Sequence, residues 1–331
     1  MATMRAAVAE RPGGPDALVV REVPRPEPRP GWALVRVEAF GLNRSEYMTL
    51  QGWSGGDVEF PRILGIECTG VVEAVADGSQ VVPGTTVAAV MGGMGRAFDG
   101  GYAEYALLPE FQLIALETTL PWDILGALPE TFITAAGSLA PLGLVPGQTV
   151  LVRGATSSVG LACLELARAA GLRLLASTRS DAKAAELRRR GVEAIVREGE
   201  GFAARARAEL PDAPDGVVDL IGGRAVLESL AVVRDGGTVC NSGLLGGEWV
   251  IRDFEPIEHV PSGRKLSSYH STTASDAAVG GALLRPVVAQ VERGEVDPGI
   301  DTVYGLGEIA EAHRRMAAGA ATGKLVVLPR R

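Results

Sequence analysis

From Met4 to Val90 apolar and polar positions alternate in short runs divided by Gly and Pro, the period of half-buried strands. In Ala33 to Phe40, ALVRVEAF, one face takes Leu34, Arg36 and Glu38 and the other takes Val35, Val37 and Ala39. Asp77-Gly78 and Pro83-Gly84 are turn signals between the runs Gly70 to Val75 and Thr86 to Val90. This pattern predicts a compact β domain, a distorted barrel. Near Pro121 the pattern changes. Trp122 to Leu142 is compatible with helix apart from Pro129 and Gly137, and it leads into the apolar strand Val150-Leu151-Val152, bounded by Gly147 and Gly154.

That strand opens the stretch around which the chain is organised. The loop Gly154-Ala155-Thr156-Ser157-Ser158-Val159-Gly160 follows it, and from Ser158 to Ala170 the residues favour a mostly buried helix whose polar face is Glu165 and Arg168. Gly171 ends the helix, and Leu172 to Ser177 is the next strand, so the unit is βαβ with parallel strands and a right-handed crossover. Further alternation follows: helix Ala184 to Arg190, strand Glu193 to Val196, helix Phe202 to Leu210, strand Gly216 to Ile221, helix Arg224 to Val233 and strand Thr238 to Ser242. The fold class is therefore α/β, with a doubly wound parallel sheet. Past His259-Val260-Pro261 the chain should leave that sheet, and helices near Ala278 to Arg293 and Gly307 to Ala317, with the strand Lys324 to Leu328, should complete the first domain. The predicted division is residues 1–121, 122–262 and 263–331, the last a return segment.

The chemistry expected of the βαβ unit is anion binding. A helix N-terminus behind a loop of small residues suits a pyrophosphate, and Gly154, Thr156, Ser157, Ser158, Val159 and Gly160 are the candidate contacts. The dinucleotide fingerprint asks for three glycines, and its middle place is taken by Ser157 and Ser158. After the second strand come Ser177-Thr178-Arg179-Ser180 and Lys183, with no carboxylate where an NAD site holds the ribose 2′-hydroxyl. A hydroxyl, a guanidinium and an ammonium, Ser177, Arg179 and Lys183, suit a 2′-phosphate instead, so NADPH is the expected cofactor.

Composition narrows the partners. With 32 Lys+Arg against 40 Asp+Glu the net charge is −8, which argues against nucleic acid or an anionic membrane. The three cysteines, Cys68, Cys163 and Cys240, are scattered in apolar surroundings, as for buried thiols in a reducing compartment. No apolar run suits a signal peptide or a membrane span, so a cytoplasmic protein is expected.

Several stretches together resemble the medium-chain dehydrogenase/reductase superfamily, in particular its zinc-free NADPH:quinone oxidoreductase branch. They are Phe40-Gly41-Leu42-Asn43 with Leu64-Gly65-Ile66-Glu67-Cys68-Thr69-Gly70-Val71-Val72, then Gly100-Gly101-Tyr102-Ala103-Glu104-Tyr105, then Pro146 to Val152 running into the glycine loop. Ala312-His313-Arg314-Arg315-Met316 and Gly323-Lys324-Leu325-Val326 also fit. The resemblance implies a GroES-like β-barrel catalytic domain, a Rossmann domain, a nicotinamide cleft between them, and homodimers through Rossmann strand edges, for which Gly247 to Ile251 is the candidate. Zinc members of the superfamily place Cys where this chain has Asn43 and His where it has Ile66. A catalytic zinc needs about three protein ligands, Glu67 alone cannot supply them, and His259, His270 and His313 show no metal spacing, so no metal is expected.

The resemblance also implies roles. Asn43 lies beside the nicotinamide and acceptor. Tyr47 stands one position before the tyrosine of the better-known quinone reductases, where this chain has Met48, and it is either a proton donor or hydrogen-bond partner, or a ring packed in the cleft wall. Arg44 either grips an anionic acceptor or pairs with Glu46. Thr134 falls near the nicotinamide amide, and Ile221, Gly243, Leu244 and Leu245 fall where the family contacts adenosine and nicotinamide ribose. Arg264, Lys265, Tyr269 and His270 are implied near the cleft mouth. Hydride transfer without a Lewis acid suits a quinone or an α,β-unsaturated carbonyl, whose oxygen delocalises the developing charge. The expected activity is thus zinc-independent NADPH-dependent reduction of such an acceptor. A pathway-dedicated enoyl reductase of a carrier-bound or natural-product intermediate, and a non-enzymatic NADPH-binding protein, are the alternatives.

Overall fold

The computed structural model describes residues 2–53 and 58–331. Two compact units emerge: one is the chain up to Ile133 with Ser271–Gly294 and Pro298–Arg331, the other is Thr134–His270 with Glu295–Asp297.

The first unit begins with strands β1 (Thr3–Ala9), β2 (Leu18–Pro24) and β3 (Trp32–Gly41), helix α1 (Arg44–Leu50), and strands β4 (Arg62–Ile63), β5 (Glu67–Val75), β6 (Thr86–Val90), β7 (Tyr105–Pro109) and β8 (Ile114–Ala115). Helix α2 (Trp122–Leu125) follows, and helix α3 (Pro129–Leu139) begins in this unit and ends in the second. β1 pairs antiparallel with β2 and β4 in a small sheet, and β3 is the hub of the larger one, pairing with β5 and β7. That double pairing buries Leu34 as fully as Val35, although alternation predicts Leu34 on the outer face. Gly70 on β5 is a close-approach position, since a Cβ there would lie 2.0 Å from the Arg36 carbonyl oxygen. The helix expected over Trp122 to Leu142 is broken. Pro129 opens α3, where a missing N–H costs nothing, and a 3-10 turn covers Ala140–Leu142.

The second unit is a parallel sheet with α/β crossovers. In chain order it has β9 (Thr149–Arg153), α4 (Ser158–Ala169), β10 (Arg173–Thr178), α5 (Asp181–Arg189), β11 (Ala194–Arg197), α6 (Phe202–Glu209) and β12 (Gly216–Asp219). Helix α7 (Ala225–Val232), β13 (Thr238–Asn241), α8 (Pro256–His259) and β14 (Lys265–Ser268) complete it. The spatial order β11-β10-β9-β12-β13-β14 is that of a doubly wound dinucleotide fold. Leu151, Leu175, Val217 and Val239, one from each central strand, sit fully buried in its core with Phe202 and Leu230. The polar face expected on α4 is half wrong: Arg168 is exposed, but Glu165 is 4% exposed and is held by Arg168 and by Arg190 at 3.0 Å.

The sequence boundaries move for identifiable reasons. β14 pairs with β13, so the sheet reaches past residue 262 to Ser268 and the unit to His270. α2 stays with the first unit because Gly126 lets it close on β3; a Cβ there would lie 2.5 Å from the Ala39 Cβ. The return of the chain adds α9 (Ala277–Glu292), β15 (Ile300–Gly305), α10 (Ile309–Ala317) and β16 (Lys324–Leu328) to the first unit. β16 pairs with β15 and with the end of β3, completing a seven-stranded sheet. Gly247 to Ile251, the expected edge strand, is not a strand; Gly247 takes φ +82° and Glu248 folds back onto the Arg224 N–H at 3.2 Å. The edges are β11 and β14. Among the described residues no helix is long and apolar enough to cross a membrane.

Candidate functional site

In the second unit the loop after β9 is built for close backbone approach. Gly154 has φ +76°, and a Cβ on it would meet Leu245 Cδ1 at 2.8 Å and Ile221 Cδ1 at 3.3 Å, so three sequence-predicted positions converge at the strand ends. At Gly160 a Cβ would lie 2.5 Å from the Gly154 carbonyl oxygen, the tight strand-to-helix packing that the last fingerprint glycine serves. The middle position is filled by a cap: Ser157 Oγ accepts from the Gly160 N–H at 3.1 Å and donates to the Gly154 carbonyl at 2.8 Å. Thr156, Ser158 and Val159 are partly exposed beside it, and the N–H groups of Ser158 and Val159, in the first turn of α4, have no acceptor within the helix.

Past β10 the structure corrects one expectation. A carboxylate does stand at this strand end, delivered by the neighbouring strand: Glu198, just after β11, accepts from Ser177 Oγ at 2.5 Å. Ser177 also accepts from the Gly154 N–H at 3.2 Å, so it ties the loop to Glu198 rather than standing free for a phosphate. Burial works to raise the Glu198 carboxyl, but the hydrogen bonds and charge of Arg153 outweigh it and hold the group below its usual range. Arg179 is exposed and Lys183 is partly buried on the first turn of α5. Arg197, which the sequence reading missed, ends β11 opposite Thr178 and reaches Asp181 at 2.6 Å. Thr134 is buried in α3, its carbonyl accepting from Ser138 Oγ at 2.6 Å, and Ser138 also reaches Ser242 at 2.7 Å. Gly243 and Leu244 lie against Gly222, whose Cβ would be 2.5 Å from the Gly243 carbonyl oxygen.

In the first unit the predicted residues sit beside a charged cluster that sequence reasoning did not assemble. Lys324 Nζ, fully buried at the start of β16, donates to Glu67 Oε1 and to Asn43 Oδ1, each at 2.7 Å. The Asn43 carboxamide donates in turn to Glu67 Oε1 at 2.8 Å and to Glu46 Oε1 at 3.2 Å. The second Glu67 oxygen accepts the backbone N–H of Glu130 at 2.9 Å, and Glu130 Oε1 accepts from Ser271 Oγ at 2.6 Å. Gly41 makes the room, because a Cβ there would lie 2.1 Å from Lys324 Cε.

Two of the three carboxyls are pushed toward neutrality. Burial, reinforced by the Glu67 charge, raises Glu46 to about 7 against the hydrogen bond from the Ile66 N–H, and burial raises Glu130 to about 8 against that from Ser271. Glu46 therefore points inward, and Arg44 does not pair with it; the exposed Arg44 guanidinium stands 5.9 Å over the Tyr47 ring. Tyr47, partly buried on α1, packs edge-on to Trp53 with ring centroids 6.4 Å apart.

Three comparisons place this arrangement among known proteins. Residues 29–118 match the alcohol dehydrogenase GroES-like domain family and residues 191–327 match the zinc-binding dehydrogenase family. The human quinone oxidoreductase is 28% identical over 98% of both chains. The chain belongs to the medium-chain dehydrogenase/reductase superfamily. Within it the chain is an oxidoreductase of the quinone oxidoreductase branch, and a Pseudomonas syringae quinone oxidoreductase structure shares the fold at a TM-score of 0.86, 24% identity and coverage of 98% of this chain and 100% of that one. A phenolphthiocerol/phthiocerol polyketide synthase component of Mycobacterium tuberculosis is 30% identical over 96% of this chain, which spans 14% of that much longer protein.

One matching family is described as zinc-binding, so the donor set of this superfamily member has to be tested against a metal. At Asn43 and Ile66, the positions where zinc members carry Cys and His, the structure sets a carboxamide and an apolar side chain, and the Lys324 ammonium already stands 2.7 Å from the nearest oxygens. These residues do not fit a catalytic zinc. Among the described residues no group of three or more His, Cys, Asp or Glu side chains could hold a metal ion. His313 is buried instead in a hydrogen bond to Tyr102 Oη at 3.0 Å, and burial lowers it to about 4.

Proposed function

We propose that this dehydrogenase/reductase is a zinc-independent, NADPH-dependent reductase of quinones or α,β-unsaturated carbonyls. The observation that carries the reading is that a carboxamide and an apolar side chain, Asn43 and Ile66, stand where zinc relatives carry ligands, with the Asn43 oxygen already held by the buried Lys324 ammonium. Two of its three N–H groups are engaged and the side chain is fully buried, so this ammonium is not presented to a substrate oxygen. The acceptor must then carry its own means of spreading negative charge, as a conjugated carbonyl does.

Bound NADPH supplies a hydride from its nicotinamide ring. The rest of the work falls to the chain. The first turn of α4, with Ser158 and Val159, receives the pyrophosphate while Gly154 and Gly160 keep the backbone close and Ser157 caps the helix. Arg179, Lys183 and Arg197 gather positive charge at the ends of β10 and β11 for a 2′-phosphate, and Glu198, engaged with Arg153 and Ser177, does not need to be displaced. Thr134, Ile221, Gly243, Leu244 and Leu245 serve the nicotinamide end. The Tyr47 hydroxyl hydrogen-bonds the acceptor oxygen and passes it a proton, whereas Asn43, whose amide hydrogens are both taken by glutamates, acts through its place in the structure.

NADPH oxidation, followed by absorbance, tests this with 1,4-benzoquinone, 9,10-phenanthrenequinone, an alkenal and a cyclic enone, each repeated with NADH. Turnover well above the NADH rate is expected, and R179A should weaken NADPH about 10- to 100-fold while leaving NADH unchanged. Equal use of NADH would remove the 2′-phosphate reading. A second reading, an enoyl reductase of a carrier-bound intermediate, is favoured by the identity to a polyketide synthase component. Faster reduction of an enoyl thioester than of every quinone would select it. A homodimer through the edge strand β14 completes the proposal, and Trp249, Val250 and Ile257 are exposed apolar side chains of the same unit. A purely monomeric species at micromolar concentration in sedimentation would exclude it.

A further inference from the structure

Asn43 occupies the N-cap position of α1, where its side chain would ordinarily accept a backbone N–H of the first turn, and it makes no such cap. Its oxygen is turned instead to Lys324 Nζ at 2.7 Å, and its nitrogen spans Glu67 and Glu46 at 2.8 and 3.2 Å. All three polar arms of the carboxamide are thus committed, each to a different element of the fold. The chain gives up a helix cap and a side chain at position 41 to make this possible, since any Cβ on Gly41 would collide with the lysine stem at 2.1 Å.

We propose that Lys324 is a positioning residue that acts through Glu67 and Asn43, locking the Asn43 rotamer and with it the start of α1, so that Tyr47 is presented in one place. The proposal rests on the reading of Tyr47 as the group facing the acceptor. Lys324 reaches neither Tyr47 nor any exposed surface, so its influence has to pass through the carboxamide. Glu46, on the same helix, carries the proton balance of the arrangement. It faces Glu67 on β5, Glu130 on α3 and Lys324 on β16, with Tyr102 and, behind it, His313 on α10. The other flank of α1 is held by Arg96, which donates to Ser45 Oγ at 2.5 Å and Thr49 Oγ1 at 3.3 Å. One ammonium cannot neutralise three carboxyls, so a proton on Glu46 keeps a second negative charge from competing with Asn43 for the lysine.

The test compares wild type with K324M and with K324M/E67Q, the double variant being included because the single one strands a buried carboxylate. Three readouts are taken on the full chain: kcat and KM for 9,10-phenanthrenequinone, NADPH affinity by nicotinamide fluorescence, and NMR of the Asn43 side-chain amide and the glutamate carboxyl carbons. The expected result is a kcat about 100-fold lower in both variants with NADPH affinity within about twofold of wild type. The Asn43 amide signals should shift in both variants, and Glu46 and Glu130 should titrate at higher pH in K324M, where the positive charge is gone and the Glu67 charge remains, but not in K324M/E67Q, where the Glu67 charge that raises them is lost as well. A double variant with wild-type kcat, or K324M with unmoved Asn43 signals, overturns the proposal. If wild type reduces no acceptor in the panel, the reductase reading fails on its own, and the amide and carboxyl signals still decide whether Lys324 positions Asn43.

Discussion

Each unit buries one cation among three carboxyls, and the two clusters behave in opposite ways. In the second unit Arg153, at the end of β9, is fully buried with Glu198 at 2.5 Å, Glu228 at 3.3 Å and Asp219 at 3.7 Å. Its guanidinium also donates to the Ala225 carbonyl at 2.6 Å and Ser229 at 2.9 Å, and lies 3.7 Å over the Phe202 ring. Asp219 is satisfied independently by the Ile221 and Gly222 N–H groups, both at 2.9 Å, and by Ser229 at 2.5 Å. In the first unit Lys324 reaches two acceptors, and one oxygen of Glu46 is buried with no hydrogen-bond partner. A planar fork with five donors, aided by backbone N–H groups, keeps Glu198 charged, whereas a compact ammonium leaves Glu46 and Glu130 to neutralise near physiological pH. The Arg153 cluster is therefore a fixed strut and the Lys324 cluster a titrating one.

The largest expected effect comes from breaking the strut. R153M leaves three buried or half-buried carboxyls facing one another without a cation, and should cost about 3–5 kcal/mol of folding stability. Chemical denaturation at neutral pH would measure it, and a loss below about 1 kcal/mol would mean that Ser177, Ser229 and the backbone donors hold the carboxylates without the guanidinium.

The titrating cluster makes a prediction about pH. Glu46 and Glu130 have an ordinary value of 4.5 and titrate at about 7 and about 8 in the fold, so the folded state binds protons that the unfolded chain has already released. Their contribution to stability is complete below pH 4.5 and is lost as pH rises through about 7 and then about 8. E46Q and E130Q, neutral at every pH, should flatten that decline and exceed wild type at alkaline pH by on the order of 3 kcal/mol each. Parallel stability–pH curves for wild type and E130Q would show that burial is relieved there by water. No corresponding decline is expected from Glu198, whose shift has the opposite sign.

Much of the frame was legible along the chain, and the reason is local. Thr86 to Val90 and Lys324 to Leu328 were read at their observed limits because each is a short apolar run ended by turn residues. Likewise the helix read from Ser158 to Ala170 starts where α4 starts, because helix-favouring residues follow the small-residue loop directly. The clusters were hidden because their members come together only after folding: Lys324 lies 257 residues from Glu67, and Arg153 lies 45 from Glu198. A signal did exist, however. Glu67 interrupts the apolar run from Leu64 to Val72, and a charged residue inside a strand that must be covered requires a buried partner. The same argument applies to Arg153 after Val150-Leu151-Val152. Neither position says which opposite charge will arrive, and so the hold of Lys324, Glu67 and Glu46 on the Asn43 carboxamide could not be read from the sequence.

The smallest effects sharpen the contrast most finely, because one deletion can be made in both clusters. Ser177 donates to Glu198 at 2.5 Å and Ser271 donates to Glu130 at 2.6 Å, so S177A and S271A each remove one hydroxyl from one buried carboxyl. Each should cost about 1 kcal/mol at most, since one hydrogen bond among several is lost. Their effects on charge should differ. Glu198 keeps its bidentate hold on Arg153 through both oxygens, at 2.5 and 3.1 Å, and should remain ionised at neutral pH in S177A. Glu130 has the Ser271 bond as its foremost support against burial, so in S271A its titration should move above about 8. Carbon-detected NMR of the two carboxyls, each in its own variant, reads this directly. Equal upward shifts would mean that Arg153 gives Glu198 no more protection than Lys324 gives Glu130, and the distinction between strut and titrating cluster would collapse.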